Sequence, residues 1–302
     1  MSNIRSKSSN SIIDSNSRNT FEAIRRIIRF REYVPYYLVS ALACGFVAKF
    51  PIDIKLVPAL VFVATSSIFG FVINDISDAE LDSKSGKLRN PIASGDLSRS
   101  AATILGIIFL GIAILSLYPF DLLGKLLGII VIMLFSLYSF GLRAKVRPGI
   151  DLMCHASWNA LYGVLAYLVY RPVDLLGMEL SCVLFFSSML VELLNEIRDY
   201  DSEKDLIRTT TTMIGKKNAL KLCIVILLMI LSLFVGIIIQ DGLPLILLVF
   251  SPSILFLVKP IINALRSEQA EQALLPILVS RGGVIITLVF ITYLTVKIIS
   301  FG

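Results

Sequence analysis

Histidine is almost missing from these 302 residues, since His155 stands alone. That leaves imidazole no place in a multi-ligand metal centre. The four cysteines, Cys44, Cys154, Cys182 and Cys223, show no paired spacing. Disulfide and metal roles fall away, and packing is their default use. No stretch alternates with period two over many short segments, so a β-barrel is excluded. The first twenty residues (MSNIRSKSSNSIIDSNSRNT) have no apolar run. They read as a Ser/Asn-rich disordered tail, residues 1–19, with no signal peptide.

What is abundant is apolar length. Hydrophobic residues make up 56% of the chain and charged ones 17%, and the mean hydropathy is +0.82. A soluble domain of this size cannot hide so much apolar surface. Runs near twenty residues recur at 34–50, 56–73, 101–118, 122–141, 151–170, 174–194, 218–240, 243–263 and 275–299. Each is long enough to cross a hydrocarbon core of about 30 Å as a helix. The expectation is an all-α membrane protein, a bundle of nine transmembrane helices forming one domain over 20–302. The first run is short and opens near Pro35. Before it, Thr20 to Tyr33 reads as an amphipathic helix with Ile24, Ile27, Ile28 and Phe30 on one side. Arg25, Arg26, Arg29 and Arg31 suit the headgroup boundary, so this helix reads as a surface anchor.

The net charge of +6 describes topology before partners. With a cytoplasmic N-terminus, twenty-two Lys/Arg fall on the cytoplasmic side and five on the other. That is a positive-inside bias, and it argues for an odd number of spans. Basic residues spread this way exclude nucleic acid as the explanation.

Two acid motifs repeat. The second run leads into Asn74-Asp75-x-x-Asp78-x-x-x-Asp82, and the sixth into Asn195-Glu196-x-Arg198-Asp199-x-x-x-Glu203. A shift of 121 residues lays Asn74 on Asn195, Asp78 on Asp199 and Asp82 on Glu203. The sites lie four spans apart, so both face the same side, as in a parallel repeat rather than an inverted one. Positions i, i+4 and i+8 share one helical face. A row of carboxylates at a membrane boundary repels itself and is costly, so a cation belongs between the rows. Oxygen ligands without His or Cys suit Mg²⁺, which shares its shell with substrate phosphates. The bland reading, acids that merely solvate loop helices, explains one motif better than two in register. Asp201 and Asp205 offer a competing register for the second motif.

The first motif resembles a signature of the UbiA superfamily of intramembrane prenyltransferases, and the second is similar to its partner motif. Arg89-Asn90-Pro91-Ile92-Ala93-Ser94-Gly95 resembles the family's Arg-Pro-(Ile/Leu)-x-Ser-Gly segment. Tyr138-Ser139 with Arg143 and Lys145 resembles its Tyr-Ser-x-x-Leu-Lys segment. Asn90 stands where many members have Arg, and Glu203 replaces a usual Asp. The Thr209–Thr212 run aligns only loosely, with Ile207 where a Gly is expected.

The resemblance implies nine helices around a cavity under cytoplasmic loops. Asn74, Asp78, Asp82, Asn195, Asp199 and Glu203 would be metal ligands for Mg²⁺, with Asp78 and Asp199 central to catalysis and Asp75 in support. Lys87, Arg89, Lys145 and Arg198 would grip diphosphate oxygens, and Tyr138 would line the cavity near the reacting carbon. The implied function is transfer of a prenyl group from a polyprenyl diphosphate, such as geranylgeranyl diphosphate, to an aromatic, quinone-precursor or lipid acceptor. Membrane lipid surrounds the chain, and the site faces the cytoplasm from the cell membrane. No general base stands out; His155 reads as a packed polar residue or cavity lining. A terpene cyclase on the same scaffold would keep both motifs. A cation transporter would prefer broken helices near the midplane, for which Pro252 and Pro260 are the only late candidates.

Overall fold

The computed structural model describes residues 21–29, 33–84, 86, 89–240, 246, 255–274, 276–278, 281, 285, 288, 289, 292, 293, 295, 296 and 299. Helices follow the apolar runs. In order they are α1 (residues 21–28), α2 (Val34–Ala48), α3 (Val57–Lys84), α4 (Arg99–Ser116), α5 (Leu122–Ser139) and α6 (Ile150–Leu168). They continue as α7 (Leu175–Glu203), α8 (Thr210–Ile214), α9 (Lys216–Gln240), α10 (Leu255–Ala264) and α11 (Glu268–Gln272). Among the described residues there is no strand.

Five helices, α3, α4, α5, α7 and α9, are long and apolar enough to cross a membrane, and α2 is a shorter apolar helix. α6 buries Asp151, His155 and Asn159 along one side, which dilutes its hydropathy. Most of the eighth and ninth expected spans lies outside the described residues; α10 occupies the end of the eighth.

The helix ends differ from the apolar runs in one informative way. α3 continues past 73 to Lys84, and α7 past 194 to Glu203. Hydropathy registers where lipid burial stops, whereas a helix stops only when its backbone hydrogen bonds do. With 28 and 29 residues, these helices reach about 42–44 Å at 1.5 Å per residue. The hydrocarbon core is about 30 Å, so the turns carrying the acids extend toward its boundary. The 121-residue shift also lays α2, α3 and α4 over α6, α7 and α9, so the repeat extends to whole helices.

α3 packs against α2, α4 and α5; α6 touches α2, α5 and α7; and α7 packs on α9. Tyr37, Phe62, Phe135, Trp158 and Tyr162 centre one core. Leu193, Leu194, Leu220, Cys223 and Ile261 centre the other. Lipid is as apolar as leucine, so close packing and buried hydrogen bonds must hold spans together. The Tyr162 hydroxyl meets Ser66 at 2.8 Å and Ser67 at 3.0 Å, all buried. At Gly163 a Cβ would lie 2.5 Å from Leu184 Cδ1 and 3.0 Å from Cys44 Sγ, so side chains of α7 and α2 pack directly on the α6 backbone there.

α1 corrects the expected anchor. Its buried Ala23 and Ile27 pack on Ile68, Val72, Leu97 and Ala102, so the apolar side meets protein rather than lipid. Arg26 pairs with Asp96, and Arg29 with the buried Asp75. Cys44, Cys154 and Cys223 are buried as expected for packing, but Cys182 is exposed.

Candidate active site

The extended ends of α3 and α7 enclose a cavity of about 600 Å³. Asn74, Asp78 and Asp82 line it from α3, and Asn195, Arg198, Asp199 and Glu203 from α7. Arg89, Tyr138 and Lys145 line it as well. Lys87 lies outside the described residues. Helical periodicity accounts for the selection within each motif, because every fourth residue returns to the same face.

Each acid row meets its own cations. The 3-10 turn Ala144–Val146 carries Lys145 to Asp78, and Lys145 Nζ also bonds Ser77 Oγ at 2.8 Å. Burial pushes the Lys145 ammonium below the ordinary lysine range, while Asp78 works against that shift. On α7, Arg198 meets Asp199 through two bonds, Nε to Oδ1 at 2.8 Å and a second nitrogen to Oδ2 at 3.2 Å. A paired guanidinium fork fits a carboxylate or a phosphate equally well.

The loop after α3 owes its shape to Asn90, which is buried. Its Nδ2 donates to the Asp75 carbonyl at 2.8 Å and to Asp82 Oδ2 at 2.9 Å. Its Oδ1 accepts from the Ile92 amide at 3.0 Å. An arginine could not both donate and accept in this way. Arg89 sits beside it, its guanidinium 6.0 Å from the Tyr33 ring centre. Asp96, nearby and outside the spans, is held below the usual carboxylate range by the Ser94 hydroxyl and by Arg26.

The competing register stays outside the cavity. The Asp201 side chain is 64% exposed and pairs with Lys216 at 2.7 Å. Asp201 and Asp205 are absent from the lining.

Deeper in, the character changes. Gly70, Phe71, Phe135 and Trp158 form an aromatic floor, with Phe135 and Trp158 stacked at 4.4 Å. A Cβ on Gly70 would lie 2.3 Å from Phe135 Cδ1, so only glycine lets that ring reach the wall. Lining residues not picked out as site residues from sequence include Arg29, Phe71, Phe135, Trp158 and Glu192. Glu192 had a signal, being an acid within an apolar span, which marks function by default. His155 lines the cavity too.

The donor chemistry suits a hard cation. All six motif residues offer oxygen, and Asn74 Oδ1 is buried with no hydrogen-bond partner among the described residues. Those residues include no ready cage of three His, Cys, Asp or Glu. The acids stand instead in two rows on separate helices.

Comparison with known proteins follows the same lines. The model of the UbiA prenyltransferase family matches residues 34–280. A digeranylgeranylglyceryl phosphate synthase from Sulfurisphaera tokodaii is 26% identical over 117 residues. That match spans 38% of this chain and 42% of the relative. A UbiA homolog from Archaeoglobus fulgidus, solved with DMAPP and Mg²⁺, superposes with a TM-score of 0.65 at 17% identity, covering 87% of this chain and 99% of the other. A structure described as digeranylgeranylglyceryl phosphate synthase in membranes gives a TM-score of 0.70 at 15% identity, covering 91% and 99%.

Proposed function

Because the chain belongs to the UbiA prenyltransferase family, we propose that it moves a geranylgeranyl-type group from its diphosphate to a hydroxyl of a glyceryl phosphate lipid, with Mg²⁺ at the two oxygen rows. It is an integral membrane prenyltransferase. The observation that carries the finer reading is the pairing of two in-register oxygen rows with Lys145, Arg198 and Arg89 around one cavity. The related proteins named above support the donor and the acceptor class. One is named for making a digeranylgeranylglyceryl phosphate, and another was solved with a prenyl diphosphate and Mg²⁺.

Asn74, Asp78 and Asp82, with Asn195, Asp199 and Glu203, would hold the ion. When bound, Mg²⁺ supplies charge neutralisation as the allylic C–O bond breaks. Lys145, Arg89 and Arg198 hold the diphosphate oxygens and stabilise their growing charge. Phe135 and Trp158 keep water from the allylic carbon, so the lipid hydroxyl meets it first. Tyr138 stands at the border between the charged mouth and this floor. The mouth faces the cytoplasm, where the basic loops gather.

The test incubates purified protein with labelled geranylgeranyl diphosphate, Mg²⁺ and separate acceptors: geranylgeranylglyceryl phosphate, a hydroxybenzoate and a dihydroxynaphthoate. The expected product is the doubly prenylated glyceryl phosphate. A prenylated aromatic would move the acceptor to the quinone-precursor class. A cyclised hydrocarbon formed without any acceptor would favour a terpene cyclase.

A further inference from the structure

Glu192 is a carboxylate inside the apolar stretch Leu190-Val191-Glu192-Leu193-Leu194. Burying such a group in a span is expensive unless something uses it. Two of its neighbours are donors. The Tyr138 hydroxyl donates to Oε1 at 2.7 Å. Asn195 Nδ2 stands 3.4 Å from Oε2, and His155 Nε2 stands 3.3 Å from the same oxygen. Ser188 fixes the imidazole: its Oγ donates to the His155 carbonyl at 3.1 Å and so must accept from Nδ1 at 3.1 Å. Nε2 thereby faces Glu192, and with the ring's proton on Nδ1 it donates to the carboxylate only as the imidazolium.

Tyr138, His155 and Glu192 all line the cavity, beside Phe135 and Trp158. Glu192 lies one turn below Asn195, where the α7 row begins, and about 10 Å along the helix from Asp199. A carboxylate has about four lone-pair sites, and two of the three contacts here are long. Room remains for one more donor. The diphosphate belongs at the acid row, so a donor at Glu192 would approach the allylic carbon from the far side.

We propose that Glu192, held in place by Tyr138, is the subsite that holds the acceptor's hydroxyl, so that this cavity selects an acceptor that presents an O–H group to it. The assignment rests on the prenyltransfer reading above. The aromatic floor holds the acceptor's apolar body, and the carboxylate reads its one O–H group. A site built to hydrogen-bond a hydroxyl rejects the analogue lacking it far more strongly than a greasy pocket does. A cluster that merely ties α5, α6 and α7 together would show no such preference.

The experiment uses full-length protein in detergent with geranylgeranylglyceryl phosphate, its deoxy analogue as competitor, and geranylgeranyl diphosphate. Wild type, Glu192→Leu and Glu192→Gln are compared for donor binding, acceptor KM and alcohol-over-deoxy preference. The expected result is a tenfold or greater rise in acceptor KM for Glu192→Leu and a smaller rise for Glu192→Gln. Donor binding should match wild type in both, and the alcohol preference should collapse in Glu192→Leu. Unchanged acceptor KM and preference in Glu192→Leu overturn the subsite. Parallel loss of donor and acceptor binding in both variants also overturns it, in favour of a structural tie. If wild type itself binds no prenyl diphosphate with Mg²⁺, the prenyltransfer reading fails, and the subsite falls with it.

Discussion

Asp78 and Asp199 each carry a cation, Lys145 in one case and Arg198 in the other. In the proposed reaction these carboxylates would exchange a protein cation for a metal ion when diphosphate brings its own charge. Asp78→Ala and Asp199→Ala should therefore each cost several kcal/mol of transition-state stabilisation, roughly a thousandfold in kcat/KM. Asp201→Ala should cost little, because an exposed ion pair such as that with Lys216 is worth about 1 kcal/mol or less. Prenyl-transfer assays on the three variants, each checked for insertion, decide between the registers. A dead Asp201→Ala beside an active Asp199→Ala would reverse the choice. The oxygen rows themselves were legible, because a four-residue spacing repeated 121 residues later needs no coordinates. Glu192 has no counterpart in the repeat, where Phe71 stands in its place, so the spacing does not mark it. Asn90 looked like a departure from a motif; its value lies in donating and accepting at once, which a letter in a motif does not reveal.

Among the elements, α8 is the smallest that shapes the cavity, and five residues cannot hold a helix by themselves. Thr209 caps it in a capping box. Asp151 at the start of α6 accepts from the Thr210 amide at 2.6 Å and its hydroxyl at 2.5 Å. Glu196 on α7 accepts from the Thr211 amide at 2.8 Å. The loop from Lys204 to Thr209 is thus pinned over the cavity, where Ile207 and Thr209 contribute lining. Asp151→Ala strands two buried donors and should cost about 1–3 kcal/mol for each. It should lower the melting temperature in detergent and speed tryptic cleavage at Lys204 and Arg208, and Asp151→Asn should lose less. Cleavage at the wild-type rate would remove the latch. Sequence reading found this threonine run only a loose fit to a motif. Its function is a set of backbone bonds to acids some 15 and 59 residues away, and such partners leave no local periodicity. α1 was misjudged for a related reason, since an amphipathic pattern does not say whether lipid or protein covers its apolar side.

For the whole molecule, sidedness and metal dependence are the testable properties. In a Cys182→Ala background, Ser202→Cys should react with an impermeant thiol reagent only in inside-out vesicles. Tyr118→Cys, at a position 84% exposed between α4 and α5, should react only from outside intact cells. The opposite pattern would invert the topology. Activity should vanish in EDTA and return with Mg²⁺, with Mn²⁺ restoring part of it, because the ligands are oxygens; full turnover in EDTA would remove the metal. The overrun of α3 and α7 beyond the apolar core has a further effect. The acid rows stand at the wet end of the cavity and the aromatic floor at the oily end, so one reaction spans two phases. In the proposed reaction its products would then part by solubility: diphosphate would drain into water, while the doubly alkylated lipid would stay in the bilayer. Reversal would need both to return to one cavity from different media, so under that proposal the membrane itself would act as the ratchet that keeps synthesis running forward.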